Sequence, residues 1–96
     1  MAYTESTVLS ITKSRLNRLA SDTSLDDYLK IRIQAADSEL SKAGIKLSAD
    51  SVDDSVLLAD YTAWKYQNRD NNAGMPEWLK LARRERWLRE RVEDVT

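Results

Sequence analysis

Few of the groups that do chemistry occur in this chain, and their spacing is wrong for catalysis. There is no His and no Cys. That removes the commonest general base near neutral pH, the commonest metal ligand, and any thiolate or disulfide. The remaining candidates are carboxylates, serines, lysines and tyrosines. Asp26 and Asp27 are adjacent, so on a helix they point about 100° apart and cannot share a proton. Asp50, Asp53 and Asp54 could suggest a calcium loop. They lack the alternating ligands, central Gly and closing Glu that such a loop uses. Carboxylates at a helix N-terminus explain them more simply. Ser10, Ser14 and Ser21 have neither a His partner nor nucleophile-elbow glycines. No acid–base or nucleophilic set exists, so the expectation is a protein that is not an enzyme and needs no cofactor or metal.

What stands out instead is a cationic face. Lys80, Arg83, Arg84 and Arg91 surround Trp87 near the C-terminus. At about 100° per residue these five share one side of a helix. Three readings fit a large aromatic among cations. It can stack on nucleic acid, anchor a protein interface, where Trp and Arg are enriched, or lie beneath its own arginines. The protein interface ranks first. Net charge is −1, which argues against bulk polyanion binding. The charge is unevenly spread: residues 22–60 hold nine acids and four bases, whereas both flanking segments are net positive.

The elements that position these residues are helices. The 96 residues contain two Gly and one Pro, and these fall where helices start or stop. Hydrophobic spacing predicts an all-α chain forming an irregular four-helix bundle, with helices at about residues 6–19, 25–43, 52–68 and 76–92. The first buries Val8, Leu9, Leu16 and Leu19. The second, capped by Thr23 or Ser24, carries one stripe: Leu25, Leu29, Ile33, Ala36, Leu40 and Ala43. Gly44 ends it. Ile31 lies off the stripe and points to a neighbour. The third, capped by Asp50 or Ser51, is apolar round most of its circumference, from Val52 through Val56, Leu57, Leu58 and Tyr61 to Tyr66. In so small a domain that implies a part-core, part-interface helix. The fourth begins at Pro76, and its Trp78, Leu81, Ala82, Leu88 and Val92 should face the core. One domain is expected, with frayed ends at 1–4 and 94–96. No apolar run is long enough for a membrane span, and the first residues lack the features of a signal peptide. A reducing, cytosol-like compartment follows as the expectation.

Several of these features occur together in a known family. The acidic start of the second helix at Asp26-Asp27, the Gly44 break, the acidic cap and the aromatic third helix come in that order. They are followed by Tyr66, the Asn68-Arg69-Asp70 loop, Met75-Pro76, Leu79, and Arg83 with Arg86. In this the chain resembles the head–tail connector (adaptor) proteins of tailed bacteriophages, over Leu25 to Leu88. The resemblance implies a virion protein made in the host bacterial cytoplasm. Such a protein forms a ring of about a dozen subunits through head-to-tail contacts. The ring contacts the portal protein and a tail-completion or stopper protein, and double-stranded DNA passes through it non-specifically. The subunit and partner contacts would use Ile31, Val56, Leu58, Tyr66, Arg69, Arg83, Arg84, Trp87 and Arg91. The alternative is a small helical nucleic-acid-binding or regulatory protein using Lys80, Arg83, Arg84 and Arg91.

Overall fold

Two glycine-like turns decide where the first helices stop. In a computed structural model that describes residues 3–95, with side chains as far as Arg91, the chain forms four helices and no strand among the described residues. They are α1 (Glu5–Arg15), α2 (Asp26–Lys42), α3 (Val52–Gln67) and α4 (Glu77–Val95). At the end of α2, Gly44 takes φ 95°. Its N–H donates to Ser41 O at 3.0 Å, and Ile45 N–H donates to Leu40 O at 2.9 Å. This is a Schellman closure, sealed by the buried pair Leu40 and Ile45. At the end of α1, Asn17 does the same at φ 58°, with Arg18 N–H donating to Lys13 O at 2.8 Å. The helix therefore ends four residues before the expected Leu19, which is left exposed. Asn is the side chain other than Gly that most readily tolerates this conformation.

The loop that follows is held by charge rather than by apolar packing. Lys13 is buried, and its Nζ donates to Ala20 O at 3.0 Å and lies 2.9 Å from Asp26 Oδ1. Thr23 and Ser24 do not cap α2. Leu25 is the N-cap and makes no side-chain bond, while Asp22 Oδ1 accepts from both the N–H and the hydroxyl of Ser24. Ser51 does cap α3, accepting from Asp54 N–H at 3.2 Å.

Helices α1, α2 and α3 pack on one another, and α4 leans on α3. The stripe of α2 is inward as the spacing predicts, with Leu29, Ile33, Ala36 and Leu40 buried. Each such large side chain contributes roughly 1.5–3 kcal/mol on burial. Helix α3 is the central rod. Leu57, Leu58, Ala59, Tyr61 and Ala63 are buried by the chain itself, together with Asp54, Ser55 and Thr62. Its broad apolar circumference is thus mostly core, and only Val52 and Val56 among its large aliphatics stay open. Tyr3, expected in a frayed end, is buried in the same core. Asp94 and Val95, also expected to fray, continue α4; the frayed-end expectation for Met1, Ala2 and Thr96, and the core expectation for the Val92 side chain, fall outside the described residues.

Tyr61 links α3 to α2. Its hydroxyl donates to Glu39 Oε2 at 2.8 Å, and Lys65 Nζ donates to the same carboxylate. Burial, then the hydrogen bond to Glu39 and that carboxylate's charge, pushes the phenol up to about 12. A phenol held up in the fold contributes stability that is complete below its unfolded value near 10 and is lost as pH rises through 12. Between pH 9.5 and 12 the native protein should lose about 2 kcal/mol more unfolding free energy than Tyr61→Phe does. Urea titrations at stepped pH measure the difference, and parallel curves for the two proteins would refute it.

Candidate interaction surface

The position of α4 is set by one arginine. Arg86 is 8 % exposed and Asp54, on the first turn of α3, is 3 % exposed. Arg86 Nε donates to Asp54 Oδ1 at 2.8 Å, Nη1 to Glu90 at 2.7 Å and Nη2 to Lys46 O at 2.6 Å. Asp54 Oδ2 also accepts from Ser48 N–H at 2.8 Å. The hydrogen bond to Asp54 holds the guanidinium proton even more firmly than usual, against the cost of burial. One ion pair thus fastens α4, α3 and the 43–51 connector together. Asp54 is turned inward for this task, and the acids near it do not converge into a metal-binding cluster among the described residues.

This anchor rotates α4 away from its expected register. Leu79 and Arg86 point in, with Ala82 partly buried. Trp78, Leu81 and Leu88, expected in the core, are instead 47 %, 56 % and 45 % exposed. The sequence rule puts apolar residues inside, whereas here a charged residue takes the inward position because a buried carboxylate awaits it.

A second clamp lies on the far side of the helix. Arg91 stacks over Trp87 at 5.0 Å and donates from Nη2 to Gly44 O at 2.9 Å. A Cβ at Gly44 would meet Arg91 Nη2 at 2.7 Å and Trp87 Nε1 at 3.3 Å. The cation sits at the C-terminal end of α2, where it satisfies an orphan carbonyl and complements the helix dipole. Trp87 and Arg91, expected as partner contacts, therefore already engage their own chain, although Trp87 keeps some open area.

The other expected contact residues divide into separate places. Leu58 is fully buried and cannot form a surface. Tyr66 packs edge-on to Tyr28 with ring centroids 6.0 Å apart, and Arg69 lies over its ring at 4.1 Å. Ile31 is exposed on α2, one turn from Tyr28. Arg83 and Arg84 line a cleft of about 410 Å³ with Lys80, Trp87, Ala43 and Ile45. That lining holds three bases and no acid. The chain matches no family model, no curated protein and no solved structure.

Val56 belongs to a different feature, on the opposite flank of α4 and roughly 160° round the helix from the basic cleft. There a groove of about 480 Å³ runs between α3 and α4. Its lining carries four acids (Asp53, Asp54, Asp60 and Glu85) against two bases, Arg86 and Arg89. Asp60 pairs with Arg15 at 2.9 Å, and Arg15 also stacks over Trp78 at 5.2 Å. Burial pushes the Asp60 carboxyl up, and Arg15 opposes this. Three open faces thus follow one another round α4: a basic cleft, an apolar stripe and an acidic groove. The sequence identified the first. The stripe and groove were hidden because they depend on the Arg86 register. The available signal was Asp54 and Arg86 themselves, two charges on otherwise core-facing positions.

Proposed function

We propose that this chain is a structural assembly protein, a ring-forming subunit of the connector between capsid portal and tail in a tailed bacteriophage. The observation that carries the reading is the opposition of charge across α4. A flank with three bases and no acid lies opposite a groove dominated by acids. A surface and its complement on opposite sides of one subunit suit head-to-tail contacts, which close into rings when the rotation per subunit divides a full turn. The order and spacing of the Tyr66, Asn68-Arg69-Asp70 and Met75-Pro76 segment supports placing that ring at the head–tail junction. In such a ring Lys80 and Arg83 of one subunit face Asp53 of the next. The portal and a stopper or tail protein occupy its two rims, and DNA passes through without being gripped.

Native mass spectrometry of the chain alone, and its co-sedimentation with tail-less, portal-bearing heads, test this reading. Wild-type protein should form a closed ring free in solution or on heads. Lys80→Glu should weaken the contact on the order of tenfold, equivalent to about 1.4 kcal/mol, and Asp53→Lys in the same chain should restore it. A chain that stays monomeric and ignores heads overturns the proposal. The absence of acid in the basic cleft also favours a second reading, a small nucleic-acid-binding protein. For that reading the signature is DNA affinity that falls steeply with salt.

A further inference from the structure

The apolar stripe between those two flanks has a spacing of its own. Trp78, Leu81, Glu85 and Leu88 recur at alternating steps of three and four residues, and the steps continue in the sequence to Val92 and Val95. That is the a/d seam of a heptad repeat, the pattern by which one helix receives another. Trp78, Leu81 and Leu88 are among the exposed large apolar residues of the protein, on a helix whose own packing uses Leu79, Ala82 and Arg86. The seam is therefore separate from the face that holds α4 in the fold, except at Trp78, where Arg15 of α1 lies over the ring.

The charges round the seam select its occupant. One edge carries Glu77, Arg84 and Arg91, the last already bonded to Gly44 O, and the other carries Ala82 and Arg89. Laying a second copy of α4 alongside in parallel sets Arg84 against Arg89 and Glu85 against Glu85; laying it antiparallel sets Arg84 against Arg91 in one register and against its own copy in the other, where Glu77 opposite Arg91 offsets only part of the repulsion. Both arrangements oppose like charges, which disfavours a self-partner. A lipid surface fares no better, because Glu85 lies in the middle of the stripe and would have to enter the apolar layer. A single polar residue at a seam position instead fixes register against a complementary residue on a partner helix.

We infer that the Trp78–Leu81–Glu85–Leu88 seam is a docking site for one amphipathic helix of a different protein, with acidic residues along the edges of its apolar stripe and a Lys or Arg facing Glu85. The inference rests on the assembly reading only in taking α4 as a partner-binding helix. It names that partner as foreign, distinct from the neighbouring subunit that the charged flanks would meet.

Two labelled designed peptides are the probes. Both carry Leu along the seam. One has Glu on its edges and a Lys facing Glu85, and the other has the charges exchanged. Fluorescence anisotropy against the full chain should show the acid-edged peptide binding at least about tenfold more tightly, a margin of one decade in Kd. Leu81→Glu combined with Leu88→Glu should abolish binding while leaving the thermal melt unchanged, because both positions are exposed. Glu85→Lys should shift preference to an acid-edged peptide with Glu at the facing position. Equal binding of the two peptides, or binding that survives the Leu81/Leu88 change, overturns the inference. So does capture by anionic vesicles in preference to peptide, or self-association that the Leu81/Leu88 change dissolves. Head co-sedimentation is scored separately. Its failure removes the connector reading and leaves peptide binding standing, whereas ring formation without peptide selectivity does the reverse.

Discussion

Arg86→Met should lower the unfolding free energy by about 3–5 kcal/mol, the cost of breaking a buried ion pair by removing one partner. The whole stability of a 96-residue chain is roughly 5–14 kcal/mol at 0.05–0.15 kcal/mol per residue. The single change therefore removes a large share of it. The cause is Asp54, which the substitution leaves 3 % exposed with only the half-exposed Arg89 guanidinium, 3.6 Å away, to offset its charge. Methionine fills most of the arginine's volume, so the loss is electrostatic and not a cavity. Arg86→Lys should recover only part, because an ammonium cannot reach Asp54, Glu90 and Lys46 O at once as the guanidinium does. Asp54→Asn in the Arg86→Met background should recover part of the loss by removing the stranded charge. Urea unfolding followed by circular dichroism gives these values. Amide exchange in α4 should rise first, since the pair is what fastens that helix. A loss under 1 kcal/mol for Arg86→Met would show that α4 is held by Leu79 and Ala82 instead.

The same pair explains which parts of the architecture could be read from residue types. The stripe of α2 was legible because a single apolar spacing, a Gly at its end and a polar outer face all agree. The all-helical class and four elements were legible for the same reason. The register of α4 was not. Its sequence contains two competing inward faces, one through Trp78, Leu81 and Leu88 and one through Leu79, Ala82 and Arg86. Apolar content favours the first. The second prevails because Arg86 meets a carboxylate 32 residues earlier in the chain, a long-range partner that no local window contains. The end of α1 was missed on a smaller scale: Asn17 reads as an ordinary helical residue until its φ of 58° is known. The broad apolar surface of α3 suggests a helix shared with a neighbour, because a lone small domain rarely surrounds one helix. Here α1, α2 and α4 together do so, and the excess apolar area moves to the fourth helix.

That relocation has a direct test in Leu58 and Val56, two residues apart on α3. Leu58→Ala should cost about 2–5 kcal/mol, the usual range for a fully buried leucine that leaves a partly collapsed cavity. Val56→Ala, on the rim of the acidic groove, should change stability by no more than about 0.5 kcal/mol, as surface substitutions usually do. Were Leu58 the contact residue its sequence context suggests, the order would reverse: the monomer would tolerate its loss and assembly would fail. The structure requires the opposite, since Leu58 has no exposed area while Val56 remains open. Chemical denaturation of both variants, with the denaturant slope checked for constancy, separates the two outcomes. If Val56→Ala then impairs ring formation on portal-bearing heads at unchanged stability, the acidic groove is an assembly surface and the buried half of α3 is scaffold.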